Sequence, residues 1–372
     1  MSMWNINARV QKLDTRGRRI IAVSDIHANM PYFRGLLEKV GFSESDELII
    51  DGDFLEKGER SLETLRFIMK LAERGNCHAV CGNCDTWADV IDAEWQYWSS
   101  RIVKYMLFKK SGLMWDMLTE MGVEIREDMD FERLIPELAE RFKPEWDFLH
   151  AMPHVIETPH YIFAHGGIKP DIPIERQRGG DCMKFDAFMN YGYTFDKWVI
   201  VGHWPVMLYL ADHVCANPII DREHRVISID GGCSLKDDGQ LNALIIPYEG
   251  SENFSFEAYD HFPVRRVKSA QRGGGNVAEC GKSYYIRWGD NDVQVLRRGE
   301  EFSLVRHVRT GYEMEILTKY LYSDEEFCKC NDSTDLVLSL EAGDEVSVIE
   351  ETSRGYLVKY KGTSGWYWGE LI

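Results

Sequence analysis

The chain has 372 residues, of which 44% are hydrophobic and 28% are charged, and its formal net charge is −18. This acidic surplus excludes a general nucleic-acid binder, because phosphate backbones are held by Lys and Arg. The N-terminal residues lack the apolar core of a signal peptide, and no apolar run approaches the 18 residues of a transmembrane helix. Nine cysteines without a secretion signal indicate reduced thiols. We therefore expect a cytoplasmic, globular protein without a membrane segment.

Residues 1 to about 250 repeat one pattern, in which a short apolar run ends in a polar turn that usually contains glycine. The runs are RIIAVSDIHAN, ELIIDGDFLEKG, CHAVCGNCD, YIFAHGG, WVIVGHWP, VISIDGGC and LNALIIPYE. Short apolar runs bounded by turns predict buried strands. PYFRGLLEKVGF and SLETLRFIMKLAERGN, which separate the first three runs, have the apolar spacing of helices. This alternation predicts an α/β sheet whose carboxyl edge carries the functional residues.

The segment at about 87–149 differs, because it is rich in Trp, Tyr and Met. DVIDAEWQYWSSRIVKYMLFKK, GLMWDMLTEMG, DFERLIPELAERF and KPEWDFLHAMP look like three or four helices. One interpretation of its aromatic residues is a platform that stacks on a cofactor or a base. The periodicity favours the other interpretation, an inserted helical cap whose aromatic face is its own core. Such a cap can also form one wall of a substrate cleft.

The C-terminal third alternates apolar and polar residues. GEEFSLVRHVRTGY from Gly299 is repeated as GDEVSVIEETSRGY from Gly343, and such alternation predicts half-buried antiparallel strands. The stretch DLVLSLEAGDEVSVIEETSRGYLVKYKGTSGWYWGELI resembles an SH3-like barrel. We therefore expect a linker at 256–277, with a flexible joint at its Gly-Gly-Gly, and SH3-like modules at 278–322 and 323–372.

Aromatic residues of these modules could form a peptide-binding surface: Tyr322, Tyr356, Trp366, Tyr367 and Trp368. The Pro-x-x-Tyr that usually completes such a surface is absent. A polyproline peptide is therefore one possible partner, and intramolecular docking or attachment to the cell wall is the alternative.

Polar side chains with metal-binding atoms follow the apolar runs of the first 250 residues. They are Asp25, His27, Asp53, Asn83, His165 and His203. Carboxylate and imidazole ligands together suit Mn, Fe, Zn or Co. Six ligands with one shared carboxylate are what a two-metal centre needs, with ions about 3.5–4 Å apart. One His or one Gly-Asp would mean little alone, but their occurrence at successive strand ends predicts a metal site.

The order of these motifs resembles the calcineurin-like metallophosphoesterases, and within them the phosphoprotein phosphatase branch. The matching pieces are SDIHAN, GDFLEKG, GNCD, FAHGGIKPDI and VIVGHWPV. The resemblance implies a β-sandwich flanked by helices in four layers (α/β/β/α), within a catalytic domain at 1–255 that includes the helical insertion. It also implies two divalent ions, expected to be Mn²⁺ with Fe or Zn as alternatives.

The resemblance further implies how the six residues share these ions. Asp25, His27 and Asp53 would hold the first ion. Asp53 would bridge to the second, which Asn83, His165 and His203 would complete. A hydroxide held by both ions would attack phosphorus directly, without a covalent phospho-enzyme.

This chain departs from the family pattern beside the metal ligands. The usual Val-Asp-Arg-Gly is Leu-Glu56-Lys57-Gly here, and Cys84 replaces the His that donates a proton to the leaving group. A thiol is a weak hydrogen-bond donor, and Lys lacks the bidentate fork of Arg. We count Asp53, Asn83, Cys84, Glu56 and Lys57 as candidate catalytic residues. Arg60 and Lys184 are candidates for binding the substrate phosphate.

The expected activity is that of a phosphomonoesterase of the serine/threonine protein phosphatase type, acting on a phosphoprotein or a small phosphoester. The first alternative is a phosphodiesterase or a nucleotide or dinucleoside polyphosphate hydrolase, because Gly-Asn-Cys-Asp also resembles small bacterial phosphodiesterases. The second alternative is a catalytically weak scaffold that acts through its SH3-like modules, against which the six intact ligands argue. We expect Cys77 and Cys81 to be strand packing rather than zinc ligands.

Overall fold

In a computed structural model of the chain, the structure describes residues 2–91, 99–273 and 283–372. These residues form two compact units. The first extends to Pro205 and also includes 218–235 and 239–260. The second consists of 206–217, 236–238 and 261–372. The second unit therefore takes in two short segments from the middle of the chain, which the sequence patterns did not indicate.

Two β-sheets form the frame of the first unit. In the first sheet the order is β12-β11-β2-β3-β4, with β2 (Arg19–Val23), β3 (Asp46–Asp51), β4 (Cys77–Val80), β11 (Leu241–Ile246) and β12 (Ser255–Tyr259). In the second the order is β1-β5-β6-β7-β10-β9, with β1 (Val10–Lys12), β5 (Val155–Glu157), β6 (Tyr161–Phe163), β7 (Trp198–Val201), β9 (Ile219–Asp221) and β10 (Val226–Ser228). The strands β2, β3 and β4 pair in parallel, as do β6, β7 and β10. All seven apolar runs therefore form strands, as their pattern predicts.

An apolar layer joins the two sheets. Ile20 and Ile49 of the first sheet pack in one buried cluster with Ile156, Phe163 and Ile200 of the second. These side chains have no measurable exposure, and burial of apolar surface contributes about 25 cal/mol per Å². Strands buried on both faces read as continuous apolar runs, which is why the sequence pattern identifies them.

Two helices, α1 (Met30–Lys39) and α2 (Ser61–Ala72), pack on the outer face of the first sheet. The inserted helices follow, and α5 and α7 among them pack on α2: α3 (Ala88–Ile91), α4 (Ser99–Lys109), α5 (Leu113–Glu120), α6 (Ile135–Arg141) and α7 (Lys143–Ala151). Asn29 caps α1 by accepting the N–H of Tyr32 at 3.3 Å. Met106, Met117 and Trp146 of the inserted helices belong to the same buried cluster as the sheet. The apolar face of the inserted helices is therefore buried in a core that they share with the first sheet; residues 92–98 of the segment lie outside the described ranges.

Short helical segments, rather than long helices, pack on the outer face of the second sheet. Its buried cluster contains Val199 and Val201 together with Cys182 and Phe188. These last two residues lie in α8 (Gly179–Met183) and in a single 3₁₀ turn. The first unit is thus a mixed α/β sandwich with long helices on one side and short helical turns on the other.

The second unit is built from antiparallel strands. Its larger sheet has the order β13-β20-β21-β22-β8, with β8 (Val214–Cys215), β13 (Val264–Arg266), β20 (Glu345–Thr352), β21 (Gly355–Tyr360) and β22 (Thr363–Tyr367). The second sheet of this unit has the order β17-β16-β15-β18, with β15 (Asp292–Arg297), β16 (Phe302–His307), β17 (Glu313–Leu317) and β18 (Phe327–Lys329). A separate pair joins β14 (Tyr285–Ile286) to β19 (Ser333–Thr334). The predicted linker at 256–277 therefore carries β13 and most of β12. The sequence did not indicate β13, because this strand is exposed and charged and has no apolar pattern. The last two glycines of the predicted flexible joint lie outside the described residues.

Each copy of the sequence repeat contains the first strand of a hairpin, β16 in β16–β17 and β20 in β20–β21. Burial alternates along β16, as the sequence pattern predicts. Trp366 and Tyr367 are buried, at 5% and 0% exposure, so they belong to the core rather than to a peptide-binding surface. Tyr322 and Trp368 are exposed. These observations establish β hairpins, and the SH3-like character of the modules stays a prediction.

No helix in the described ranges combines the length and the apolar character needed to cross a bilayer.

Candidate metal centre

The six predicted metal ligands lie just beyond the carboxyl ends of β2, β3, β4, β6 and β7. Four of them, Asp25, His27, Asp53 and His203, have positive φ angles of 53°, 48°, 50° and 65°. Such a backbone conformation costs of order 1–3 kcal/mol at a non-glycine residue and is concentrated at functional sites. The strand ends therefore bend sharply to turn these side chains toward one another.

Two glycines allow the loops to approach. A Cβ atom on Gly52 would lie 2.7 Å from the His165 ring, and one on Gly82 would lie 2.2 Å from the backbone nitrogen of Asp53. Real Cβ atoms do not come so close to other atoms. These glycines are therefore required by the close contact between the Asp53, Asn83 and His165 loops, as the Gly-Asp and Gly-Asn motifs predict.

Asp25, His27 and Asp53 form a buried group, each at most 3% exposed. Asp25 accepts the backbone N–H of His203 at 3.0 Å and the Ser24 hydroxyl through Oδ2. Its other oxygen, Oδ1, lies 3.6 Å from His27 Nε2. His27 Nδ1 lies 3.3 Å from the Leu55 carbonyl and donates to it, so Nε2 carries the free lone pair.

Asp53 connects this group to a second one. Its Oδ1 accepts the backbone N–H of Cys84 at 2.7 Å and lies 3.3 Å from His165 Nε2. His165 donates Nδ1–H to the Asp51 carbonyl at 2.8 Å. His203 Nε2 forms a hydrogen bond with Asp186 Oδ1 at 2.7 Å. The other ring nitrogen, Nδ1, is therefore the one that can bind a metal. The ligand atoms of Asp53, His165 and His203 lie within 4.8 Å of one another.

Four of the six residues carry buried polar atoms that lack a hydrogen-bond partner among the described residues. These atoms are Asp25 Oδ1, His27 Nε2, Asn83 Oδ1 and His165 Nε2. Buried side-chain polar atoms are nearly always hydrogen-bonded, so four such exceptions in one place need an explanation. Each is an atom type that binds divalent cations, and each neighbouring ring nitrogen is oriented by a carbonyl or carboxylate. The residues present therefore fit two metal ions.

The charges of the metal-free centre also favour a cation. Burial lowers the pKa of His27 and of His203 to about 4, so both imidazoles are neutral at pH 7 and can bind a metal. Burial, followed by the charge of Asp230, raises the pKa of Asp25. For Asp53 burial acts in the same direction, but the charge of His165 outweighs it and holds the pKa of Asp53 below the usual range. Asp53 in turn raises the pKa of His165 in the metal-free protein. The bridging position is thus the one that keeps its negative charge.

Asp85 is a positioning residue whose role the sequence did not reveal. Its carboxylate accepts the backbone N–H groups of Asp53 at 2.8 Å, Gly82 at 2.9 Å and Leu55 at 3.1 Å. It thereby ties the β3 loop to the β4 loop. Burial and the charge of Asp53 raise its pKa to about 7. The sequence signal was only its position two residues after Asn83, where the family pattern has Glu.

A cavity of about 600 Å³ shares walls with the metal centre. Four of its residues follow the metal-binding strands, namely Glu56, Lys57, Asn83 and Cys84. Others come from the N-terminal segment and the inserted helices, among them Trp4, Trp87, Ile102 and Tyr105. The rings of Trp87 and Tyr105 lie 6.4 Å apart at an angle of 41°. The predicted cap therefore does form a wall of a cleft.

Glu56 joins the cap to the site. Its Oε2 accepts the Tyr105 hydroxyl at 2.7 Å and its Oε1 accepts the Leu113 N–H at 2.8 Å. Burial raises the pKa of Glu56. Both carboxylate oxygens are thus occupied by the cap, which indicates a positioning rather than a chemical role; a direct catalytic role of Glu56 stays a prediction.

The predicted phosphate-binding residues have different surroundings. Lys57 lines the cavity. Lys184 Nζ lies 3.2 Å from Asp186 Oδ1, the oxygen that also bonds His203, so it is at the edge of the centre. Arg60 is exposed and lies 3.5 Å from Glu63, and it does not appear among the described residues that line the cavity.

The cysteines divide as their sequence positions suggest. Cys77 and Cys81 are buried, at 4% and 1% exposure, within the apolar cluster that joins the first sheet to its helices. Cys84 lies among the metal ligands instead, where burial and the charge of Asp53 raise the pKa of its thiol in the metal-free protein.

Residues 18–227, more than half of the chain, match the family model described as calcineurin-like phosphoesterase. The chain therefore belongs to the calcineurin-like phosphoesterase family and is a metal-dependent phosphoester hydrolase. It is similar to the bis(5'-nucleosyl)-tetraphosphatase PrpE [asymmetrical] of Bacillus velezensis, with 26% identity over 247 residues that cover 57% of this chain and 83% of that protein. It is 28% identical over 153 residues to the symmetrical bis(5'-nucleosyl)-tetraphosphatase of Pseudomonas syringae, covering 38% and 48% of the two chains.

Solved structures show weaker similarity. A serine/threonine phosphatase from Saccharomyces cerevisiae, similar to human PP5, aligns with a TM-score of 0.41 and 10% identity, over 70% of this chain and 86% of that one. A metallophosphoesterase from Sphaerobacter thermophilus aligns with a TM-score of 0.39 and 16% identity, over 66% and 89%.

Proposed function

We propose that this phosphoesterase hydrolyses the phosphoanhydride chain of a nucleoside polyphosphate, with a dinucleoside polyphosphate as the leading substrate. The observation that carries this proposal is the aromatic-walled cavity beside the metal centre. Water is the nucleophile, and no covalent phospho-enzyme is needed. The phosphomonoesterase activity that the sequence predicts is the second candidate.

The metal ligands hold the reacting groups. Asp25 and His27 would hold one ion, Asn83, His165 and His203 would hold the other, and Asp53 would contribute to both. Two divalent ions supply a water of lowered pKa and neutralise the charge of the phosphoryl oxygens when they are bound. Asp85 keeps the β3 and β4 loops at a fixed spacing through its three accepted N–H groups, and this fixes the relative position of Asp53 and Asn83.

The nature of the leaving group favours an anhydride. Hydrolysis of a serine phosphate releases an alcohol that needs a proton, and general acid catalysis contributes about 10²–10⁴-fold to such steps. Cys84, at the position of the family's proton donor, is a weak donor whose raised pKa makes it a weaker acid still. A nucleotide leaves as a phosphate, which is stable without a proton. The loss of the donor therefore costs an anhydride hydrolase much less than a protein phosphatase.

The shape and lining of the cavity favour a nucleoside. A volume of about 600 Å³ is in the range of small-ligand sites, which are lined mainly by apolar and aromatic groups. Trp4 and Trp87 are half-buried and offer ring faces for stacking on a base. Lys57 contributes a positive charge for the phosphates in the same cavity. The names of the two tetraphosphatase relatives agree with this substrate class.

A phosphomonoester of the protein phosphatase type is the second candidate. Lys57 stands where the family has a phosphate-binding Arg, and Lys184 reaches the edge of the metal centre through Asp186. Both bind phosphate as point charges without the bidentate geometry of Arg. This candidate needs an efficient proton donor, for which the described residues around Cys84 offer no strong acid.

One panel of substrates tests these proposals. The metal-supplemented enzyme is assayed with a dinucleoside tetraphosphate, an aryl phosphate, an aryl phosphodiester and a phosphopeptide. We expect the highest kcat/KM on the dinucleoside polyphosphate, and no activity for the matched variant Asp53→Asn, which removes the bridging charge at nearly constant volume. Preference for the phosphopeptide would support the second candidate, and no turnover on any substrate would support a scaffold that acts through the C-terminal modules.

A further inference from the structure

Cys84 lies beside the buried ligand atoms of the first metal-binding group. One ligand atom from each of His27, Asp53 and Cys84 lies within 4.8 Å of the others. In a tetrahedral zinc site a nitrogen and a sulfur ligand lie about 3.6 Å apart, because the bonds are about 2.1 and 2.3 Å long. The thiol is therefore within reach of an ion bound to His27 and Asp53 after a shift of at most about 1 Å.

A second observation points to a ligand at this position. His27 is 1% exposed, and its Nε2 has no hydrogen-bond partner among the residues that the structure describes. Because its Nδ1 is taken by the Leu55 carbonyl, the free lone pair of Nε2 is available only to a cation or a donor within the centre. Cys84, which is half-buried and lines the cavity, thus has its Sγ close to this nitrogen.

Two hydrogen bonds hold Cys84 in place. Its backbone N–H donates to Asp53 Oδ1 at 2.7 Å, and the side-chain amide of Asn83 donates to Sγ at 3.4 Å. These two bonds fix the position of the sulfur beside the ligand atoms of His27 and Asp53. The bond to Sγ also orients the Asn83 amide, so that its oxygen is the atom left without a partner.

We propose that Cys84 binds, through its sulfur as a thiolate, the ion that His27 and Asp53 hold. The proposal rests on the two-metal function above. The thiol proton passes to solvent when the ion binds, because only the thiolate is a ligand. Sulfur ligands favour zinc or ferrous iron, whereas manganese and magnesium prefer oxygen. The site is therefore selective for softer ions than the Mn²⁺ that the sequence predicts.

Cobalt substitution tests this bond without any assay of turnover. A thiolate bound to Co²⁺ gives an intense charge-transfer band in the near ultraviolet, which oxygen and nitrogen ligands do not give. We expect the band in the wild type and in Cys215→Ser, a matched control at a half-buried cysteine of the second unit. Cys84→Ser and Cys84→Ala should lose the band and keep the weaker visible bands of bound Co²⁺.

Zinc titration gives a second readout. The wild type should release about one proton more than Cys84→Ser on saturation, and its preference for Zn²⁺ over Mn²⁺ should exceed that of Cys84→Ser by about tenfold or more. A wild type that binds two Co²⁺ ions and hydrolyses substrate without the charge-transfer band would overturn the thiolate ligand alone. Failure of the protein to bind Co²⁺ or Zn²⁺ at all would overturn the two-metal function as well.

Discussion

The two sides of the catalytic centre are built differently. On the metal side, buried loops with positive φ angles converge, and four polar atoms lack partners among the described residues. On the cavity side, residues of the N-terminal segment and the inserted helices meet the family's most altered positions, Lys57 and Cys84. All six ligands that the family resemblance implies lie on the metal side, whereas the cavity side has Lys57 and Cys84 at the positions where the resemblance implies a phosphate-binding Arg and a proton donor. Metal-dependent phosphoester hydrolysis is the chemistry of the family, and in the function that we propose the cavity selects the substrate.

The largest expected effect is on the metal side. His165→Ala removes a ligand that lies 3.3 Å from Asp53 and should abolish hydrolysis of every substrate in the panel. The measurement is kcat/KM together with the number of ions bound per chain, which should fall from two to about one. A matched control is His160→Ala, an exposed histidine that hydrogen-bonds Glu249 outside the centre. Unchanged rates for His165→Ala would reject the site.

Asp85→Asn should weaken the same side indirectly. The amide can accept fewer of the three backbone N–H groups that now join the β3 and β4 loops. Groups that orient metal ligands typically contribute about 10–100-fold to metal affinity or activity. We expect a loss of that size in metal affinity by calorimetry, with all substrates affected alike. A loss confined to one substrate class would place Asp85 on the cavity side instead.

Trp87→Ala tests the cavity side. Stacking of a base on an aromatic ring is worth about 1–3 kcal/mol, so KM for a dinucleoside polyphosphate should rise about tenfold while kcat changes little. The aryl phosphate, which has no base, should be hydrolysed as before. Trp87→Phe keeps an aromatic face and should restore most of the affinity. Equal losses on both substrates would contradict a nucleoside site.

Cys84→His restores the family's proton donor and should raise activity on alkyl and peptide phosphomonoesters, by up to about 10²-fold. The anhydride rate should change much less, because its leaving group needs no proton. The ratio of the two rates is therefore the quantity to measure. An imidazole can also bind the ion that we assign to Cys84, so the number of ions bound per chain is measured together with the rates. A fall on both substrates with both ions bound would contradict the proton-donor argument.

A smaller effect concerns the N-terminal segment that borders the cavity. His154 accepts the Arg9 N–H at 3.0 Å and donates to the Met3 carbonyl, and burial lowers its pKa to about 4. Between pH 7 and pH 5 the unfolded chain takes up a proton at this residue and the folded chain does not, so stability falls as the pH falls. Metal-loaded wild type should lose about 2 kcal/mol more than His154→Gln over this interval, measured by urea unfolding. Equal losses would remove His154 from the account.

The metal side could be predicted from the sequence because each ligand directly follows an apolar run. Asp53 and His203 are recognisable for this reason without any knowledge of how the strands are ordered. The cavity side could not be predicted in this way. Trp4 and Trp87 line the same cavity only in the folded chain, because they are far apart in the sequence. The hydrogen bond from the Tyr105 hydroxyl to Glu56 likewise joins residues that are distant in the sequence.

The central claim is that Asp53 bridges two ions held by the other five ligands. Crystals grown with Mn²⁺ or Zn²⁺ allow an anomalous-difference map at this position. We predict two peaks about 3.5–4 Å apart, with Asp53 between them and Asn83, His165 and His203 around one of the two. A map from metal-supplemented crystals with no peak at these six residues, or with a single peak that Asp53 does not contact, would contradict the account.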